Sequence, residues 1–318
     1  MRVTKRMYHK ELRPYYMPMK ILAYMMTKKW GIKLMNFIIS RSKGKNIEGL
    51  HCEERYIPSR NNGPDIRIRI FKPHKSDKIL PGMLYNHGGG YMTGAPEMAI
   101  DTIKSFIDKR PCVIIAPDYR KSLNAPFPSG FNDCYDTLLW MKENAHSLGV
   151  KSSKFIVAGH SAGGGLTAAV TLKARDTQDV DIAFQMPIYP MIDYLQNTKS
   201  AKSMNSVPVW NRKTNALGWR LYLKNTKGKV SPYASPSINK DYKKFPPTIT
   251  FVGDLEPFKD ETIKYVNALK EEQITVNFKL FEGAFHAFEN FGKNTEIGKK
   301  ANQFQFESFA KYYDKYTK

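Results

Sequence analysis

The five residues Gly159-His160-Ser161-Ala162-Gly163 constrain this chain more than any others. An apolar run at 155–158 leads straight into them, and a small-residue segment at 162–173 with helical character leaves them. A strand that becomes a helix within about one residue needs a sharp turn, and glycines two positions either side of Ser161 make room for it. Such a turn lifts the serine hydroxyl clear of the backbone. It also aims the N-terminus of the following helix at any negative charge that develops there. The pattern by itself is common, and a tight glycine-rich turn around an inert serine is the competing reading. The strand–turn–helix setting and the extra Gly164 and Gly165 favour a nucleophile.

The segments around this turn fit one large α/β domain with an accessory part. The 318 residues suffice for that. Strict alternation at 65–71 (Ile66, Ile68, Ile70) predicts a strand of antiparallel type. Short apolar runs at 83–85, 113–116, 155–158, 182–188 and 248–252, bounded by turn residues, predict buried strands, with a further strand at 275–281. Helical spacing marks 131–144, 162–173, 260–270 and 301–313. Alternation of this kind predicts a mostly parallel sheet wrapped by helices. The polar stretch 193–228, with Trp210 and Trp219, interrupts the rhythm and is read as an insertion above the sheet.

A second chemical signal is His87-Gly88-Gly89-Gly90-Tyr91, just after the predicted strand 83–85. A tetrahedral intermediate needs N–H groups fixed where its oxyanion forms, and consecutive glycines offer amides without side-chain obstruction. Gly88, Gly89 and Gly90 are therefore candidate oxyanion-hole residues together with Ala162, the N–H groups of Gly89, Gly90 and Ala162 being the expected donors. A phosphate-cradling loop is the alternative, but neither GK[ST] nor GxGxxG with a distant acid is present. A serine hydroxyl also needs a base. Of the seven histidines, His286 lies in a loop after the last predicted strand, where a base following a Ser…acid…His order belongs. The acid falls between Ser161 and His286. The segment after the strand 248–252 offers Asp254, Glu256 and Asp260, and spacing does not choose among them.

Fifty Lys+Arg against 29 Asp+Glu leave a net charge of +21. Such a field attracts anionic surfaces, though a lysine-rich surface also serves solubility alone. No RNA-binding, zinc-finger or basic-zipper pattern accompanies the charge, which argues against nucleic acid. Three cysteines without CxxC spacing form neither a disulfide framework nor a zinc site; Cys112 and Cys134 read as core residues. Residues 1–45 interleave Lys and Arg with aromatic and Met-rich patches. Their longest strongly apolar stretch, six residues at 21–26, is too short to span a membrane or to serve as a signal core. Ile32, Met35, Ile38 and Ile39 fall at helical spacing and predict an amphipathic helix. Packing of its apolar face on its own domain is the expectation, and peripheral contact with an anionic membrane through residues 1–45 is the alternative.

Taken together, these residues resemble the hormone-sensitive-lipase-like family of α/β-hydrolases, which includes many bacterial esterases and arylacetamide deacetylases. The likeness covers roughly residues 60–318. It rests on HGGG at 87–90, GHSAGG at 159–164, Ala116-Pro117-Asp118-Tyr119-Arg120, Phe127-Pro128 with Asp133, Ser231-Pro232-Tyr233-Ala234-Ser235-Pro236, and Phe245-Pro246-Pro247-Thr248. The family's D-P-L-x-D-E pattern aligns with Glu256-Pro257-Phe258-Lys259-Asp260-Glu261, so the resemblance selects Glu256 as the acid. Glu replaces the usual Asp there, His160 stands where the family has an aspartate, and Lys121-Ser122-Leu123-Asn124 replaces L-A-P-E.

The resemblance implies an α/β-hydrolase core over 46–192 and 230–318, with a helical cap built from 1–45 and an insertion at 193–229. It implies a serine esterase with Ser161, His286 and Glu256 as its triad, needing no metal or organic cofactor. The expected partner is a small acyl ester of short to medium chain length. Rival readings are a membrane-associated lipase or deacylase acting on anionic lipids, and a silent ligand-binding homologue. The expected location is cytoplasmic, or peripheral at the membrane.

Overall fold

The computed structural model describes residues 3–74 and 78–318; Met1 and Arg2 of the basic N-terminal segment lie outside the described residues. Two helices, α1 (Tyr16–Met25) and α2 (Lys29–Ser40), precede the first strand. Then follow β1 (Leu50–Ile57), β2 (Ile66–Pro73), β3 (Gly82–Asn86), α3 (Ile100–Lys109), β4 (Val113–Pro117), α4 (Ser129–Glu143), the short α5 (Ala145–Leu148), β5 (Phe155–His160) and α6 (Ala162–Thr177). The second half runs β6 (Ile182–Ile188), α7 (Lys199–Ser203), α8 (Arg212–Tyr222), β7 (Thr248–Gly253), α9 (Lys259–Glu271), β8 (Val276–Phe281), the short α10 (Phe288–Phe291) and α11 (Glu296–Tyr316).

The strands form one sheet in the order β1-β2-β4-β3-β5-β6-β7-β8. β2 is antiparallel to both β1 and β4, and every other pairing is parallel. The central strands are predominantly apolar because both sheet faces are covered, and the buried Gln185 within β6 donates to Thr248 Oγ1 and the Tyr265 hydroxyl. Their two-residue period divides them between layers. Val113, Ile115, Leu84, Phe155 and Val157 pack with Phe131 and Leu138 of α4 and Leu166 and Val170 of α6. Their neighbours Ile114, Ala116, Met83, Tyr85, Ile156 and Ala158 pack with Phe106 of α3 and Phe309 of α11. This sandwich holds the C-terminal ends of β3 and β5 side by side, Asn86 in register with Gly159, so the HGGG loop and the Ser161 turn emerge as neighbours.

β2 has the expected position, but its polar face is not wet. Arg67 and Arg69 are buried, Arg69 at 1% exposure. Both guanidinium groups bond the buried Glu97 carboxylate, Arg67 at 2.5 Å and Arg69 at 3.1 Å. The segment after α2 covers them: Gly44 N–H donates to Glu97 (3.0 Å), Lys43 pairs with Asp118 (2.6 Å), and Arg69 donates to Lys45 O and Asn46 Oδ1. Buried charges need such mutual pairing, and here it fixes α2 to the core. β1, which reads Leu-His-Cys-Glu-Glu-Arg-Tyr-Ile, carries no strong local signal and is an edge strand with a half-exposed polar pattern, whereas α3 has a clear apolar stripe at Ile103, Phe106 and Ile107; neither is among the elements expected from sequence. Among the described residues, no helix is long and apolar enough to cross a membrane.

Candidate active site

Ser161 joins β5 to α6 with φ 59° and ψ −120°, a region that residues bearing a Cβ rarely enter. Such a conformation costs of order 1–3 kcal/mol and persists only where its surroundings enforce it. They do so here. Ser161 N–H donates to Ile188 O (3.0 Å), while Ser161 O accepts from Met191 N–H (3.0 Å) and Gly165 N–H (2.9 Å). The turn needs Gly163 because a Cβ there would fall 2.0 Å from Asn86 O, at the end of β3.

The structure brings Ser161, His286 and Glu256 together from three separate loops. His286 Nε2 lies 2.8 Å from Ser161 Oγ, and its Nδ1 is hydrogen-bonded to Glu256 Oε2. Glu256 is fully buried, and its other oxygen accepts from Gly253 N–H (3.0 Å). Tyr189 and Phe258 meet the imidazole edge-on, with ring centroids 4.8 and 5.1 Å away. The ring is thereby held on both its polar and its apolar sides. The other carboxylates are occupied elsewhere. Asp254 Oδ1 accepts from Gly283 N–H (2.7 Å) and Ala284 N–H (3.3 Å), tying down the loop that carries His286; Asp260 accepts from Ser200 N–H (2.7 Å).

The HGGG loop faces this group. A Cβ on Gly88 would lie 3.6 Å from Ser161 Cβ, so the loop backbone runs directly beside the serine. Gly90 has φ +61° and packs so closely on Trp210 that a Cβ would sit 2.1 Å from the indole. Gly89 O accepts from Met92 N–H, Thr93 N–H and Thr93 Oγ1. His87 holds the loop's start: its Nδ1–H donates to Gly88 O (2.7 Å), its ring stacks on Tyr119 at 4.2 Å, and Tyr119 O–H donates to His87 O. Among the described residues, the N–H groups of Gly89, Gly90 and Ala162 have no protein acceptor. Fixed, unpartnered amides beside a serine hydroxyl and an imidazole are an arrangement able to stabilise an oxyanion.

These residues open onto a cavity of about 790 Å³. Leu22 of α1, Met26 just after it, Met35 of α2, and Val209 and Trp210 before α8 contribute apolar walls. The N-terminal helices and the insertion meet there, Val209 N–H donating to Met19 O at 3.0 Å. Among the described residues, no group of three or more His, Cys, Asp or Glu is placed to hold a metal ion.

His160 turns away from the reacting group, as its place beside Ser161 suggests. Tyr85 O–H donates to its Nδ1 (2.9 Å), and its Nε2–H donates to Gln305 Oε1 (3.1 Å). Beside it lies a cluster that sequence reasoning did not single out: Glu289 accepts from Tyr189 O–H, and the other face of Tyr189's environment is His286 itself. Glu289 follows His286 by only three residues, but nothing local distinguishes it from a surface glutamate.

Burial depresses the His160 pKa to about 4 and raises that of Glu289 to about 7. The two shifts have opposite consequences. Below pH 6.5 the unfolded chain takes up the His160 proton before the folded one does, so His160 erodes stability down to about pH 4. Glu289 binds its proton more tightly in the folded state, so its stabilising contribution is full below about pH 4.5 and is lost as pH rises through 7. Relative to the parent, the stability deficit of His160→Gln should therefore shrink as pH falls from 6.5 to 4. That of Glu289→Gln should grow as pH falls from 7 to 4.5. Each slope should approach about 1.4 kcal/mol per pH unit. Urea melts across this range measure both, and parallel curves for parent and variants would contradict the assignments.

A family model described as the alpha/beta hydrolase fold matches residues 83–290. An arylesterase from Saccharolobus solfataricus is 30% identical over 266 residues, covering 80% of this chain and 82% of that protein. Carboxylesterase NlhH of Mycobacterium tuberculosis is 26% identical over 245 residues, 76% of each chain. Among solved structures, a bacterial heroin esterase superposes with a TM-score of 0.87 at 26% identity, over 98% of this chain and 99% of that one.

Proposed function

The chain belongs to the hormone-sensitive-lipase-like family of α/β-hydrolases and is an ester-hydrolysing enzyme; from that premise we propose that it cleaves short- to medium-chain acyl esters with Ser161 as nucleophile, His286 as base and Glu256 as orienting acid. The observation that carries this reading is the continuous hydrogen-bonded path from Ser161 Oγ through His286 to the buried Glu256. His286 Nε2 removes the hydroxyl proton as Ser161 Oγ bonds to the ester carbonyl carbon. Gly89, Gly90 and Ala162 N–H groups receive the oxyanion, with Gly88 shaping the loop, and the α6 N-terminus adds favourable potential. Collapse expels the alcohol, which takes the proton back from His286, and leaves an acyl-serine. Water, deprotonated by the same imidazole, then releases the acid.

Glu256 keeps Nε2 free to accept a proton by holding the other one on Nδ1, and it stabilises the imidazolium. Residues 1–45 and 193–229 act as the cap, and the cavity-facing Leu22, Met26, Met35 and Trp210 receive the acyl or alcohol moiety. The test is hydrolysis of p-nitrophenyl esters of increasing chain length. The expected result is a maximum of kcat/KM among short to medium acyl chains, since each buried methylene is worth about 0.8 kcal/mol until the cavity is filled. No turnover on any member of the series, with tight binding of the same esters, would favour the silent-binder reading instead.

A further inference from the structure

Among the described residues, the two N-terminal helices carry the largest concentration of exposed large apolar side chains. Met17, Ile21 and Tyr24 of α1, at i, i+4 and i+7, are 56%, 58% and 62% exposed. Trp30, Leu34, Phe37 and Ile38 of α2, at i, i+4, i+7 and i+8, are 41–57% exposed. Only the opposite faces are buried, Ala23 on α1 with Met26 at its C-terminal end, and Ile32 and Ile39 on α2. Monomeric soluble proteins seldom leave such a contiguous apolar patch without using it.

The charges around the patch specify what it fits. No Asp or Glu occurs between Glu11 and Glu48. Lys28, Lys29, Lys33 and Arg41 are exposed among the apolar residues. Lys20, Lys28 and Arg41 lie over the rings of Tyr16, Tyr24 and Phe37 at 5.0–5.3 Å, so the basic heads rim the aromatics. A second copy docked through this face would oppose like charges across a two-fold axis. A protein interface of ordinary size would also use about ten direct hydrogen bonds. This face offers few fixed partners for them: Thr27 and Ser40 hydroxyls bond back to their own helices, and Asn36 is turned inward onto Met92 O. A bilayer demands no such partners. Trp and Tyr with flanking Lys and Arg suit the boundary between acyl chains and anionic headgroups.

We infer that α1 and α2 dock the protein in the plane of an anionic lipid surface. Met17, Ile21, Trp30 and Phe37 enter the headgroup–acyl boundary, and the basic side chains contact lipid phosphates. The same two helices line the Ser161 cavity from their inner side through Leu22 and Met35, with Met26 between them. Docking therefore sets the catalytic cavity directly beneath the lipid surface, where acyl esters dissolved in the membrane are concentrated. This consequence, unlike the docking itself, rests on the ester-hydrolysis reading.

The experiment is flotation of the full chain with vesicles of phosphatidylcholine alone and of equal parts phosphatidylcholine and phosphatidylglycerol. Binding to the mixed vesicles is expected to be at least about tenfold tighter, and to weaken with added salt. Trp30→Ser/Phe37→Ser should abolish it. Lys29→Glu/Lys33→Glu should lower it by well over tenfold, each basic residue near an anionic surface being worth about fivefold in affinity. Both variants should retain hydrolysis of a soluble short-chain ester, which also reports that they fold. Absence of binding to the mixed vesicles at low salt, or undiminished binding by both variants, overturns the inference. Self-association lost in these variants, with no vesicle binding, would assign the face to a second copy instead. Flotation of Ser161→Ala reads docking without turnover, so failure of docking and failure of the hydrolytic reading are told apart.

Discussion

Replacing Ser161 with Ala should lower kcat on an activated ester by about 10⁶-fold, the scale found when the nucleophile of a Ser-His-acid triad is removed. The size follows from the chemistry: without Oγ, no acyl-enzyme forms, and only the oxyanion donors and substrate binding remain to help water attack. KM should change little, because the cavity walls are untouched. Alanine retains the Cβ, so the φ 59° turn and its three backbone hydrogen bonds keep the same steric demand. The loss is thus attributable to the hydroxyl, and an unchanged melting curve would confirm that. Labelling by a fluorophosphonate probe should disappear in the same variant. A variant that is still labelled, or that retains more than about a hundredth of the parental kcat, would remove Ser161 from its assigned role.

The second large effect separates two carboxylates only two residues apart. Glu256→Gln preserves shape and burial but can present an amide N–H to His286 Nδ1. The imidazole would then favour the tautomer with its proton on Nε2, where it cannot act as base toward Ser161. A fall in kcat of about 10⁴-fold is expected, as when the acid of such a triad becomes an amide. Asp254→Asn should behave differently. The Asp254 carboxylate accepts its hydrogen bonds from the backbone N–H groups of Gly283 and Ala284, and asparagine retains an oxygen for both. Its kcat should stay within about tenfold of the parent, with any deficit appearing in the melting temperature. Steady-state kinetics on both variants decide the matter; Asp254→Asn falling further than Glu256→Gln would reverse the assignment.

Several elements of this architecture are legible before any coordinates exist. The β5–turn–α6 unit around Ser161 is one, because its determinants are local: an apolar run, glycines at fixed offsets and a small-residue helix within about twenty residues. The buried strands β3, β4 and β7 are others, since a strand covered on both faces is dominated by apolar residues, and a polar one such as Thr250 must find its partner inside the protein. β6 has the predicted bounds. The regions left unread have weaker local patterns. β1 mixes Glu53, Glu54 and Arg55 into an edge strand, where solvent on one face removes the demand for apolar residues. α3 is the exception: its apolar stripe, Ile103, Phe106 and Ile107, is regular and legible in the sequence.

Sequence alone determined the α/β character, the Ser161 turn, the HGGG loop and the candidacy of His286, because each depends on short-range backbone sterics or on the period of apolar residues. Choosing the acid lay beyond spacing. Asp254, Glu256 and Asp260 are chemically equivalent along the chain, and family likeness rather than geometry preferred Glu256. The fold separates them by orientation, since the loops after β7 and β8 meet with one carboxylate on the imidazole, one on the backbone amides behind it and one on Ser200. Tertiary structure likewise decided that Arg67 and Arg69 are buried ion pairs, because Glu97 and residues 43–46 arrive from distant parts of the chain to cover them. It also divided the amphipathic N-terminal helices into a face lining the Ser161 cavity and an apolar, basic face left to solvent. Periodicity shows that a helix has an apolar face; only the packing of the whole chain shows how much of it is covered.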